Sequence, residues 1–385
     1  MKEIKNNNVT FWISGNGKDI LDWAKISKNQ IDGNYNNNLF SQFDNEVDDL
    51  VKTWLKDGSF GKIMKSLHVN DSTEILPDNF ITFKDSLSKI PDWVNFDLIE
   101  QGAKLSQRSG LMGLLILRDF ALLGGYIFPG LIKPLIATGA LEKGATQRLY
   151  NTLGFWIEVS RTTQNAQELR INTSLRTRLI HSASRLMIEK KHPDWEFEKY
   201  GVPINHADMI ATSIAFTLYY LYGLDKMNFK YSKREEEGIF HLWKYVTWLL
   251  GVPKSIIPSN KKEAINFFYF WTKSQGAPDN DSLKLAESLI NEHTRLSLYK
   301  IDLINQSMPL IHKSVANYLL DQRILKSLKV PEIKLNYIIP NVLRFKNGLP
   351  INREKQIYVG NKEQMIVLQD YKNNIGHGDL NKSRN

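Results

Sequence analysis

The chain has 385 residues, 42% hydrophobic and 24% charged, with a formal charge of +9 and no cysteine. Those proportions are ordinary for a globular protein able to bury a large core in one or two domains. The missing thiols exclude disulfides, iron–sulfur clusters and cysteine nucleophiles. The lysines are scattered, with the densest pair, Lys261 and Lys262, followed at once by Glu263, so no basic arm or nucleic-acid surface is formed.

The amino terminus, MKEIKNNNVTFWIS, lacks the apolar stretch of a signal peptide, and a cytoplasmic protein is expected. The first forty residues are rich in Asn and Lys and read as a loosely held arm with short helical pieces. Residues 54–65 read as a helix, Ile90-Pro-Asp-Trp93 as a turn, and a helix starts near Asp97. Apolar residues then recur at helical spacing over 105–123, 130–141, 146–161, 173–190, 206–222 and 233–250. Asn205 is placed to cap the helix opening at His206, and Gly251 with Pro253 stops the one before them. Further helices are expected at 261–272, 282–296 and 310–320. The most apolar stretch, 111–140, is broken by Arg118, Asp119 and Lys133 and contains Pro129, so no uncharged run reaches the ~18–20 residues of a transmembrane helix. Strand-like alternation is confined to 367–368 and 336–340. The fold class expected is all-α, a single large helical domain. An N-terminal arm with covering helices (1–90) would precede a helical core (91–253), C-terminal helices (254–371) and a flexible tail (372–385).

The segment RTRLIHSASRLMI, 176–188, sets His181 between Arg178 and Arg185, three residues before it and four after. On a helix of about 3.6 residues per turn the three share a face with Ser174, Thr177, Ser184 and Ile188. One histidine flanked by two cations suits a cofactor that takes one axial nitrogen and carries carboxylates, and haem has both properties. Against this, Leu175, Leu179, Ala183 and Leu186 cluster on the opposite side, and a polar helix face ordinarily meets water.

Three further segments join this one: Arg148-Leu-Tyr-Asn-Thr152, with Phe155 and Val159 continuing the column; WEFEKYGVPINHADMIAT, 195–212; and HLWKYVTWLLGVP, 241–253. Their order and spacing resemble the oxygenase MpaB-like family, which includes the latex clearing proteins, over roughly residues 91–253. The resemblance implies an all-helical protein with a globin-like core that binds haem b and its iron through one proximal histidine. It implies use of dioxygen to cleave carbon–carbon double bonds in a hydrophobic, isoprenoid-type substrate. Carried over by position, His181 is the axial ligand, Arg178 and Arg185 pair with the propionates, and Arg148 with Thr152 lies on the distal side. Two departures stand out: Asn151 occupies the place of a lysine in polyisoprene-cleaving members, and apolar residues around Ile132 replace an upstream glutamate, the nearest acid being Glu142.

Other readings remain open on sequence. A haem protein that carries electrons or senses, without oxygenating anything, needs the same five residues. A cofactor-free scaffold needs none of them. A non-haem iron site built on His206, Asp208 and a second histidine fails inside a regular helix, where residues two apart point about 200° from each other. His241 is expected to pack or hydrogen-bond in the core, and Glu158 to be a buried acid or part of a solvated face.

Overall fold

The computed structural model describes residues 9–67, 75–292, 296–298, 302–333 and 337–375. Those residues build one helical domain, and no strand occurs among them. The helices that position the site are α1 (Asn45–Lys56), α2 (Phe96–Arg108), α3 (Gly110–Gly125), α4 (Pro129–Ala137), α5 (Gly144–Val159) and α6 (Ala166–Lys191). They continue with α7 (206–226), α8 (Lys233–Leu249), α9 (Lys261–Lys273), α10 (Asn280–Ile290), α11 (Met308–Leu319), α12 (Ile338–Gly348) and α13 (Arg353–Asn374).

Helix starts follow their caps. Asn95, Asn205 and Asn260 each accept a backbone N–H through the side chain, and Ser232 with Glu235 forms a reciprocal capping box at the start of α8. Gly251, at φ +95°, ends α8 in a conformation that only glycine adopts without strain. Its missing side chain has a second use: a Cβ there would lie 2.5 Å from an Asp44 oxygen and 2.8 Å from Arg178 Nε.

The central contact is α2 against α8, crossing at Gly102 and Gly238, where a Cβ on either would meet the other's backbone at 2.3–2.5 Å. Two glycines therefore let these helices approach backbone to backbone. Arg108, buried at the end of α2, locks the crossing by donating to Glu235 (2.8 Å), to Gln356 of α13 (3.1 Å) and to the Lys230 carbonyl. Helix α13 lies over α2, α3 and α5.

The apolar stretch 111–140 folds, as expected, as helices, α3 and α4, bent 94° apart, and among the described residues no single helix is long and apolar enough to cross a membrane. Other expectations change. Within α3, Ile116–Leu122 takes a wide π-helical turn, and Ala215–Tyr219 does the same in α7. These segments touch, with Phe120 5.0 Å from Tyr219 ring to ring. The first turn lets the consecutive residues Arg118 and Asp119 both be buried; Asp119 meets His312 Nδ1 of α11 at 2.7 Å.

Residues 9–24 form two short helices docked on the core, in place of a loose arm. Phe11, Trp12, Ile20 and Leu21 are buried, and Trp12 Nε1 donates to Thr272 at 2.8 Å. The strand candidate 367–368 is inside α13, 338–340 opens α12, and 336 lies outside the described residues. Of the expected tail, 372–374 still belongs to α13 and 376–385 lies outside the described residues, as do 1–8 of the arm.

Candidate active site

Helices α5 and α6 form an antiparallel hairpin, and its register decides which predicted residues meet. Near the turn, Glu158 accepts from Thr173 Oγ1 at 2.7 Å and from Arg176 at 3.2 Å, while Arg170 Nε donates to the Val159 carbonyl at 2.7 Å. Glu158 is therefore engaged in holding the hairpin. Counting equal rises along both helices, from Thr173 forward and from Glu158 back, brings His181 level with the turn carrying Arg148 and Thr152.

At that level the hairpin opens. Thr152 is exposed, and so is Ile180 at 46%, although Ile180 lies on the strip of α6 that packs against α5 beside Thr173 and Arg176. Ile180 thus faces solvent beside α5, about 100° around α6 from His181. Leu153 and Phe155 on α5 are partly covered apolar side chains packed against the core. The indole of Trp243 from α8 stacks on Phe216, in the wide turn of α7, at 4.1 Å and lies 6.1 Å from Phe155.

The Arg148 guanidinium is buried against Tyr126, 5.3 Å from its ring, where burial raises the phenol's pKa and Arg148 opposes that rise. Trp243 Nε1 and Trp156 Nε1 are buried and unpaired. In His181, Nδ1 is buried without a partner. Burial, with Arg185 adding to it against an opposing pull from Asp44, lowers its pKa to about 4, so the imidazole is neutral near pH 7.

The flanking arginines have partners that sequence reasoning missed. Arg178 forks onto Asp44, Nε to Oδ2 at 2.5 Å and Nη2 to Oδ1 at 2.8 Å. Arg185 forks onto Asp48 at 2.9 and 2.7 Å, and its Nη1 donates to the Ile204 carbonyl at 3.1 Å. The carboxylates come from the start of α1, more than 130 residues away in the chain. Arg185 has every nitrogen engaged, whereas Arg178 retains Nη1. His206, weighed in the sequence only as a ligand of a non-haem iron site, has both ring nitrogens buried and unpaired, and burial lowers its pKa to about 4. Asn205 caps this helix, as expected.

His206 and Asp208 do not form a metal site. Asp208 accepts from Trp271 Nε1 and Asn205 Nδ2, both at 2.8 Å, and burial raises its pKa to about 7. No cluster of three His, Asp or Glu side chains able to hold a metal occurs among the described residues. His241 lies apart, accepting from the Asn95 N–H at 2.8 Å and edge-on to Trp93. Ile132 is buried in the core and Glu142 is exposed, so neither position offers the site a carboxylate; Asn151 is exposed and bonded to Gln147. A groove of about 750 Å³ lies at the far end of the hairpin, lined by polar residues that include Lys84, Asn165 and Glu168, away from His181.

The family model described as ER-bound oxygenase mpaB/B'/rubber oxygenase, catalytic domain, matches residues 63–336. A structure of latex clearing protein LCP in the closed state shares the fold with a TM-score of 0.65, at 16% identity, over 85% of this chain and 91% of that one. No curated protein matches the sequence.

Proposed function

The chain belongs to the mpaB/rubber oxygenase catalytic-domain family and is an oxygenase, and from that premise we propose that it works with haem b held through His181. The observation that carries this reading is the neutral, buried His181, whose Nδ1 has no partner in the fold, on a helix packed against the one that carries Arg148 and Thr152. These residues fit the group: one imidazole nitrogen for the iron, apolar and aromatic walls for the macrocycle, and cationic donors at the edge. Bound there, haem would supply the dioxygen chemistry.

The chain's own residues would bind, orient and exclude water. The Trp243–Phe216 stack and Phe155 would press on the apolar group and keep the site dry. Arg178 would offer Nη1 to a propionate while its other two nitrogens stay on Asp44. Arg185, saturated by Asp48 and a carbonyl, would hold α6 in place beside it. Arg148 and Thr152 would face the opposite side and donate to oxygen. The substrate would be an apolar molecule, an isoprenoid chain among the best fits, cleaved at a carbon–carbon double bond. Ile132 carries no carboxylate and that of Glu142 is exposed to solvent, so no base is placed for cleavage as in the polyisoprene-cleaving members, which argues against polyisoprene as the substrate.

An absorption spectrum of protein produced with haem supply tests this. The expected result is a Soret band that shifts when carbon monoxide is added to the reduced protein, lost in His181→Ala at unchanged helical circular dichroism. Full haem retention in His181→Ala would overturn the ligand. A six-coordinate spectrum indifferent to carbon monoxide would turn the reading to electron transfer or sensing.

A further inference from the structure

Helix α12 is built inside out. Ile338, Val342, Phe345 and Leu349, spaced four, three and four residues apart, form one strip along it and its carboxyl-terminal cap. They are 47, 63, 72 and 46% exposed. The opposite side faces the protein: Pro340 is buried, Leu343 packs on the core, and Asn347 donates to the Met227 carbonyl at 2.8 Å. Asn228 donates to the Arg344 carbonyl at 3.2 Å, and the Arg344 guanidinium bonds Tyr318 of α11. A surface helix of a globular protein ordinarily turns its apolar stripe inward. This one is pinned with the stripe pointing out, and exposed Tyr337, Ile351 and Tyr358 flank it in the chain.

The charge along the same stretch has one sign. Between Glu332 and Glu354 the chain carries Lys334, Arg344, Lys346 and Arg353 and no acid. We propose that α12 is a docking helix that lays this strip into the surface of an anionic lipid bilayer, with the exposed Lys346 and Arg353 meeting the headgroups. A strip of large apolar residues bordered by Lys and Arg is the pattern of a helix lying in a membrane interface. A second copy of the chain fits less well. An 11-residue helix is only ~16 Å long, and four side chains fall well short of the ~800 Å² each partner buries in a stable interface. The proposal stands independently of the haem, and its test does not require cofactor.

Flotation of the full-length protein with phosphatidylcholine vesicles, alone and with phosphatidylserine added, decides the matter. The wild type is expected to float with the serine-containing vesicles and to be released by salt. Val342→Glu with Phe345→Glu should lower binding about tenfold or more, and Lys346→Gln about fivefold on the anionic vesicles only. Val342→Ser with Phe345→Ser serves if the glutamate pair does not fold by circular dichroism. Three results would each overturn the proposal: no flotation of the wild type, undiminished flotation of the double variants, or a dimer in light scattering that the double variants convert to monomer.

Discussion

His181 and His206 are neutral bases sealed among cations, and that has a thermodynamic consequence in the haem-free protein. Each is lowered from 6.5 to about 4, chiefly by burial, so the unfolded chain takes up protons at a pH where the folded chain does not. The stability they contribute is complete above 6.5 and is lost as pH falls towards 4. Asp208 acts in the opposite sense: raised from 3.8 to about 7, it keeps its proton in the fold while the unfolded chain releases it, so its stabilisation falls as pH rises across that range. Two histidines against one aspartate leave a net loss on acidification of about 1 kcal/mol per pH unit. His206→Gln leaves one against one, and urea midpoints between pH 6.5 and 4 should become nearly flat. An unchanged acid slope in that variant would show that His206 does not carry the effect. His181 was legible in the sequence because a helical period sets it between arginines. His206 was not, since nothing local tells a capping neighbour from a sealed imidazole. Asp44 and Asp48 were invisible for a related reason: an acid at the start of one helix gives no sign of which distant arginine it will meet.

Between elements, α1 is tied to α6 by charge and α2 to α8 by the lack of side chains. Asp48 and Arg185 are 3% and 1% exposed, so removing one leaves a buried charge without its partner. Asp48→Ala is expected to cost about 3 kcal/mol or more in urea unfolding, and Asp48→Leu with Arg185→Met considerably less than the two single costs combined. If the folded double variant still binds haem, Arg185 belongs to the scaffold; if it loses haem, the propionate role returns. At the other contact, Gly238→Ala places a methyl 2.5 Å from Gly102 N and 2.6 Å from the Leu98 carbonyl. A loss of about 1–3 kcal/mol should follow, read as a lower denaturant midpoint, because neither neighbour is a flexible side-chain tip. Helix periodicity was readable over most of these elements. It failed where a β-branched residue sits in a helix, as at Val367, and where a helix breaks and resumes, as at Ser109, because apolar content continues unchanged across such a break.

Across the whole molecule, segments from both ends of the chain complete the middle. Trp12 bonds Thr272, Asn16 bonds the Leu319 carbonyl at 2.8 Å, and Gln364 of α13 reaches the Ser106 carbonyl at 2.8 Å. The first forty residues read as an arm because asparagine and lysine dominate their count. The buried minority, Phe11, Trp12, Ile20 and Leu21, decided their placement.

The two wide turns, Ile116–Leu122 and Ala215–Tyr219, have a further consequence for how such a chain can change. A π turn absorbs one residue more than an α-helix requires while keeping the faces before and after it in phase. Deleting a residue inside either segment would restore ordinary helix and leave the flanking side chains where they were. The same deletion one turn away would swing everything beyond it by about 100° around the axis. Insertions and deletions in these two long helices are therefore tolerated at the places where α3 and α7 touch, next to the aromatic wall of the site, so the lining can be resized without unfolding the helices that carry it.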